Sequence, residues 1–185
     1  MTRGRRIASW SAIIIGIFSL WAWPSRDAWP EVKGSYAGLF WVDVPLGWQW
    51  REDAEGVSLV SPGGRRTMRI DAQAQEGIDT EEGAKALVEQ AMAAKIREIV
   101  SMNGKTVAKR ERRVDGVFAL QTGFLLPASE EIHQATAIFF YAKKYLFCVY
   151  LEASREPLRL EMEEIADTIR FEPPKPQDTK RAQDR

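Results

Sequence analysis

The chain has 185 residues, and its 26 basic and 26 acidic side chains cancel to a formal net charge of zero. The balance is uneven: residues 1–30 carry +3, residues 31–172 carry 18 basic against 23 acidic groups, and residues 173–185 carry +2. A central portion at −5 argues against nucleic acid as a partner, a single cysteine excludes an intrachain disulfide, and a single histidine excludes a histidine-based metal cluster.

Arg3, Arg5 and Arg6 precede an uncharged run from Ile7 to Trp23 that Pro24 closes. A basic flank followed by an apolar segment is the pattern of a secretory signal or a membrane anchor. The 17 residues of the run would make a helix of about 25 Å, short for a hydrocarbon core of roughly 30 Å but workable with interfacial flanks. Trp10 at one end and Trp21, Trp23 and Trp29 at the other supply them. Cleavage after Ala22 would place Leu20 two positions earlier and Trp23-Pro24 directly after, so an uncleaved anchor is favoured over a removed signal, although Ser9, Ser11 and Ser19 lower the apolarity. The residues around Arg5-Arg6 fit a twin-arginine export signal badly, and no cysteine follows the run for lipid attachment. Because the arginines come first, the expected topology is a single pass through the cytoplasmic membrane, N-terminus inside, with the rest periplasmic or extracellular. The expected organisation is an anchor or signal over 1–30, one domain over 31–172, and a proline-rich disordered tail over 173–185.

In the domain, Phe40, Val42 and Val44 alternate with Trp41 and Asp43 up to the turn Pro45-Leu46-Gly47, and Trp48 to Glu52 continues the pattern. Val57 to Val60 stops at Ser61-Pro62-Gly63-Gly64, and Thr67 to Ala72 sets Met68, Ile70 and Ala72 against Arg69 and Asp71. These segments read as a meander of short antiparallel strands. Asp79 and Glu82 have capping-box spacing ahead of a helix whose Ala84, Leu87, Val88, Ala91, Met92, Ile96 and Ile99 recur at three- and four-residue steps. After Asn103-Gly104, the charged stretch from Thr106 to Val114 suits a protected edge strand, and Asp115-Gly116 turns it into Val117 to Leu125.

The hairpin from Gln134 to Ala153 has two apolar faces: Ala135, Ala137, Phe139 and Tyr141 oppose Thr136, Ile138 and Phe140, while Tyr145, Phe147, Val149 and Leu151 oppose Leu146, Cys148 and Tyr150. Both faces therefore need cover. A closing helix from near Ser154, with Pro157 in its first turn, offers Leu158, Met162, Ile165 and Ile169 on one stripe. The expectation is an α+β fold, an α/β/α sandwich on a central antiparallel sheet, with Phe139, Phe147, Val149, Met162 and Ile165 buried together.

The runs VDVPLGWQW from Val42, GVSLVSP from Gly56, FFYAKKYLFCVYLEAS from Phe139 and IADTIRF from Ile165 resemble the PsbP-like superfamily, which includes the PsbP subunits of photosystem II and bacterial envelope proteins of the DcrB type. The resemblance covers most of residues 35–172 and implies an α/β/α domain acting as a largely non-catalytic accessory or binding module. No residue pattern here matches the metal and chloride associations of plant PsbP, so no ligand is carried over.

Candidate site residues have ordinary readings. His133, beside Glu130 and Glu131, reads as a solvated imidazole, Cys148 as a buried, inert thiol between apolar neighbours, and Ser61-Pro62-Gly63-Gly64 as a turn without the Gly-Lys-Ser/Thr of a phosphate loop. Lys109, Arg110, Arg112 and Arg113 could attract phosphates or lipid headgroups, but edge-strand protection explains them equally well. All seven tryptophans lie in the first fifty residues, and Trp41 and Trp50 are the candidates for an exposed interaction surface, against the alternative that a helix covers them. No catalytic, metal-binding or cofactor-binding set emerges. The expected function is a non-enzymatic, membrane-tethered extracytoplasmic binding or accessory domain that contacts an envelope protein. The alternative is a binder of a small apolar ligand or lipid in a cleft between sheet and helix, with a hydrolase third. Cavity volume separates the first two.

Overall fold

The alternation of Phe40, Val42 and Val44 does produce a strand, but not the one expected. In the computed structural model, which describes residues 32–127, 133–154 and 160–173, β2 (Phe40–Val44) pairs with β1 (Val32–Tyr36) as a separate two-stranded antiparallel sheet and with no strand of the main sheet. The meander expected from β2 onward is therefore broken at Pro45-Leu46-Gly47. The physical reason is that Phe40, Val42 and Val44 are all buried, so this hairpin lies across the face of the main sheet instead of extending its edge.

The turn leads into β3 (Gln49–Glu52), followed by β4 (Gly56–Val60), β5 (Arg66–Ala74), α1 (Glu81–Ser101), β6 (Lys105–Val114), β7 (Val117–Leu126), β8 (His133–Ala142), β9 (Tyr145–Ala153) and α2 (Leu160–Asp167). The seven strands from β3 to β9 form one antiparallel sheet in the order β3-β4-β5-β9-β8-β7-β6. The β8–β9 hairpin is thus internal, and the charged β6 is an edge with a register shift between Thr106 and Ala108, both devices that discourage further strand addition.

Two cores lie on the two faces of the sheet. Against the first face, Phe40, Val42 and Val44 of β2 join Met162 and Ile165 of α2 and the following Ile169 and Phe171, over Leu59, Ile70, Ile138, Phe140, Phe147 and Val149. Against the second, Val88, Met92 and Ile99 of α1 cover Leu120, Phe124, Ala135, Ala137 and Phe139. The helices occupy opposite sides, as the two-faced hairpin requires, and the β1–β2 hairpin shares the α2 layer. One grouping needs correction. Phe140 pairs with Phe147 and Phe139 with Cys148, so the period of two sends Phe139 to the α1 core, away from Phe147, Val149, Met162 and Ile165.

Local details position these layers. The α1 N-cap is Thr80, one residue beyond the Asp79 expected: its Oγ1 accepts from the Gly83 N–H at 3.1 Å, and Glu81 and Glu82 complement the helix dipole. Backbone bonds between Trp41 and Arg170, at 2.8 and 2.9 Å, join β2 to the segment after α2, as does the Asp43 N–H to Thr168 Oγ1 at 2.9 Å. On the other side, a Cβ on Gly34 would lie 2.3 Å from the Trp50 ring, so glycine is what lets this indole wedge between hairpin and sheet. The expected start of α2 near Ser154, with Pro157 and Leu158, falls on residues 155–159, outside the described residues, as do the apolar run at 7–23 and all but the first residue of the tail at 173–185. Among the described residues no helix is long and apolar enough to cross a membrane.

The β8–β9 turn is built on Lys143 and Lys144 with φ of 49° and 66°, a left-handed pair in which side chains other than those of Gly, Asn and Asp are strained. Lys143 has compensation, since its ammonium donates to the Phe171 carbonyl oxygen. Lys144→Gly is therefore expected to raise stability by about 0.5–1 kcal/mol, read as a higher urea midpoint at unchanged slope.

Candidate functional site

Helix α1 packs on β6, β7 and β8, leaving the same face of β3, β4 and β5 more open. That face is polar by alternation. Arg69 sits at its centre, with Nε 2.5 Å from Asp71 Oδ1, Nη2 donating to Asp53 Oδ1 at 2.8 Å and Nη1 to Ser58 Oγ at 3.2 Å. The guanidinium holds the Asp53 carboxyl well below the usual carboxylate range, helped by the Glu55 and Gly56 N–H groups that donate to it. The cation is matched by carboxylates that also shape the β3–β4 turn, which makes this a structural cross-strand cluster.

On the rim of α1, Lys95 lies 4.9 Å from the centroid of the Tyr150 ring and 3.0 Å from Glu98 Oε1. Cys148 is partly buried, short of the full burial expected, because its strand face lies at the rim of α1, yet desolvation still pushes its thiol up to about 12, as it does the neighbouring Tyr150 phenol. A thiol held that high has almost no thiolate at neutral pH, so it is a poor nucleophile. Folded protein at pH 8 is expected to react with a small alkylating reagent at least ten-fold more slowly than urea-unfolded protein, measured by mass spectrometry. Equal rates would show Cys148 to be open and activated.

His133 opens β8, half-exposed, with Nδ1 3.7 Å from Glu152 Oε1; Glu130 and Glu131 lie outside the described residues. Among the described residues no three His, Cys, Asp or Glu side chains are disposed to hold a metal ion. Ser61-Pro62-Gly63-Gly64 is the β4–β5 turn, in which the Gly64 and Arg66 N–H groups donate to the Ser61 carbonyl and hydroxyl oxygens.

Trp41 and Trp50 are both half-buried, but in different settings. Trp41 alternates out of the core side of β2, where Lys143 lies 5.4 Å from its ring centroid. Trp50 is packed against the first core and over Gly34, with its indole N–H donating to Glu52 Oε1 at 2.6 Å. Trp50 thus acts mainly in packing, and Trp41 is the one turned outward.

One cluster escaped sequence reasoning. Arg110 and Arg112 of β6 meet Gln121 of β7 and the acidic side of α2: Arg110 Nη2 is 2.5 Å from Glu163 Oε2, Arg112 Nη2 contacts Asp167 Oδ1, and the Gln121 amide donates to Glu163 Oε1 at 2.8 Å. The signal was available as two arginines at strand spacing and two acids at i, i+4 on a helix, but nothing local says that they meet. Half of the basic strand is therefore consumed in holding α2.

A cavity of about 210 Å³ opens between the first turns of α1 and the β6–β7 turn, lined by Lys85, Val88, Arg113, Val117, Phe118 and Tyr141. Three of its polar side chains have partners. Lys85 lies 5.2 Å from the Phe118 ring centroid, Arg113 Nη1 donates to the Gly116 carbonyl at 2.7 Å, and Tyr141 Oη donates to the Ile78 carbonyl at 3.2 Å.

The sheet order, the crossing hairpin and the two helices define a PsbP-like fold, the class that the sequence resembles. The chain is similar to cyanobacterial PsbP (CyanoP) from Synechocystis sp. PCC 6803, with a TM-score of 0.57 and 10% identity over 76% of this chain and 91% of that one. It is similar to LpqN of Mycobacterium tuberculosis, a protein involved in cell envelope biogenesis, with a TM-score of 0.50 and 14% identity over 76% of this chain and 85% of that one. A protein of Bacteroides thetaiotaomicron matches at a TM-score of 0.52 and 16% identity, over 75% of this chain and 47% of its own length. At these identities the likeness is one of fold. No protein-family model matches the chain, and no curated protein matches it in sequence.

Proposed function

We propose that this protein is a non-enzymatic binding or accessory domain, tethered to the outer side of the cytoplasmic membrane by residues 7–23, that contacts another protein of the envelope. The observation that carries the choice of partner is the cavity volume. This cavity, at about 210 Å³, is below the roughly 300–1,000 Å³ of small-molecule sites, which favours a macromolecular surface over a buried ligand. Trp41, turned outward with Lys143 over its ring, supplies an aromatic side chain of the kind enriched in protein contacts. The envelope role of LpqN agrees with this reading.

The test places a photo-crosslinking amino acid at Trp41 of the full chain in native membranes. A discrete protein adduct is expected, competed away by excess unmodified protein. Recovery of a bound lipid or small molecule with no protein adduct would replace this reading with the ligand-binding one.

A further inference from the structure

The described large hydrophobic side chains that remain exposed are Leu46, Val100, Met102, Val107 and Leu125, from 37% for Leu125 to 67% for Leu46. The pairing register places all five at one end of the sheet. Gln49 pairs with Val60, Val60 with Thr67, Arg66 with Ala153, Ala153 with Gln134, Gln134 with Leu125, and Leu125 with Lys105. Leu46 lies just before Gln49, Val107 just after Lys105, and Val100 and Met102 close α1 just before it. Gly47 also approaches Pro62 of the β4–β5 turn, tying the Leu46 turn to the same end. The opposite end carries Asp53, Glu55, Asp115, Gly116, Lys143 and Lys144, with no exposed large hydrophobic among the described residues.

This apolar end is also the one the chain reaches from its N-terminal segment. Val32 pairs with Val44, two residues before Leu46. Eight residues, from Pro24 to Glu31, separate the apolar run from Val32. At most about 3.5 Å each, they span no more than about 28 Å. Among the described residues this end also carries Arg97 and Lys105, and two of its acids have partners: Glu98 with Lys95 at 3.0 Å and Glu152 near His133 at 3.7 Å. Exposed aliphatic groups next to cations match the acyl and headgroup layers of an anionic bilayer.

We infer that this end of the domain is a membrane-docking surface, which seats Leu46, Met102, Val107 and their neighbours in the interface of an anionic bilayer and holds the Lys143 end toward the aqueous side. The inference rests on the tethered reading of residues 7–23.

The experiment uses the full chain with Cys148→Ala, carrying Leu46→Cys, Met102→Cys, Val107→Cys or, as the distal control, Lys144→Cys. Each variant bears a fluorophore and is reconstituted in phosphatidylethanolamine–phosphatidylglycerol vesicles containing a lipid-borne quencher. Quenching at 46, 102 and 107 is expected to exceed that at 144 at least two-fold, and to fall when phosphatidylcholine replaces phosphatidylglycerol. Protein that survives carbonate extraction but is quenched no more at 46 and 102 than at 144 would overturn the docking surface and leave the tether standing. Protein released by carbonate would overturn both. Labels shielded in native membranes yet unquenched in pure lipid would assign the surface to a protein and overturn the lipid inference.

Discussion

Phe147→Ala is expected to lower the stability of the domain by about 3–5 kcal/mol, the range for truncating a fully buried aromatic ring. Phe147 has no exposed surface, and its strand β9 is the middle one of the seven. Its ring stacks on Phe140 at 5.1 Å between centroids and meets Phe40 edge-on at 6.0 Å, Phe171 at 5.7 Å and Tyr145 at 6.2 Å. The crossing hairpin, through Phe40, and the segment after α2, through Phe171, both rest on this one side chain. Deleting it opens a cavity where three segments of chain converge, and rigid neighbours in a close-packed core cannot collapse to fill it. For a domain with a net stability of about 5–15 kcal/mol the loss is a large fraction of the total. Urea denaturation followed by far-ultraviolet circular dichroism measures it. A cost below about 1 kcal/mol would mean that the hairpin does not seal this face.

The second large effect is expected at the α2 contact. Changing Glu163→Gln and Asp167→Asn together should cost about 2–3 kcal/mol, because Arg112 would remain sequestered without a carboxylate partner. Its side chain is only 12% exposed, with Nη1 donating to Gln121 Oε1 at 2.8 Å. Burial already pulls the guanidinium below its usual value, against the pull of Glu163 toward the charged form. The figure is set below that for a fully buried pair because Asp167 is half-exposed and water screens its share. Adding Arg112→Met to the double variant should recover most of the loss, since the cost lies in the unpaired buried charge and not in missing volume. Equilibrium denaturation of the variants tests this. A double variant as stable as the parent would show the network to be dispensable.

Much of the framework was legible because it depends on short-range periodicity. The two apolar faces of β8–β9, the opposition of Met68 and Ile70 to Arg69 and Asp71, and the stripe of Val88, Met92 and Ile99 follow from side-chain directions within each element. These patterns, with the need to cover both faces of an internal hairpin, are sufficient for an antiparallel sheet between two helices. The ordinary reading of the Ser61–Gly64 turn was equally local, since its hydrogen bonds join residues of the turn itself.

Tertiary structure alone decided what depends on registers and distant partners. No run of residues announces β1, because Val32–Tyr36 becomes a strand only by pairing with β2, and β2 leaves the main sheet only because its buried face finds the first core. Phe139 and Phe147 part company because one residue of register separates the faces. Arg110 and Arg112 read as a charged edge until Glu163 and Asp167, more than fifty residues away, close on them. The gathering of Leu46, Met102 and Val107 at one end is of the same kind, since exposure is a property of what the rest of the chain fails to cover. Sequence by itself thus determined most of the elements after β1 and the direction in which their side chains alternate. Which surfaces meet and which stay open was decided by long-range packing, whose energies appear only once the chain has closed on itself.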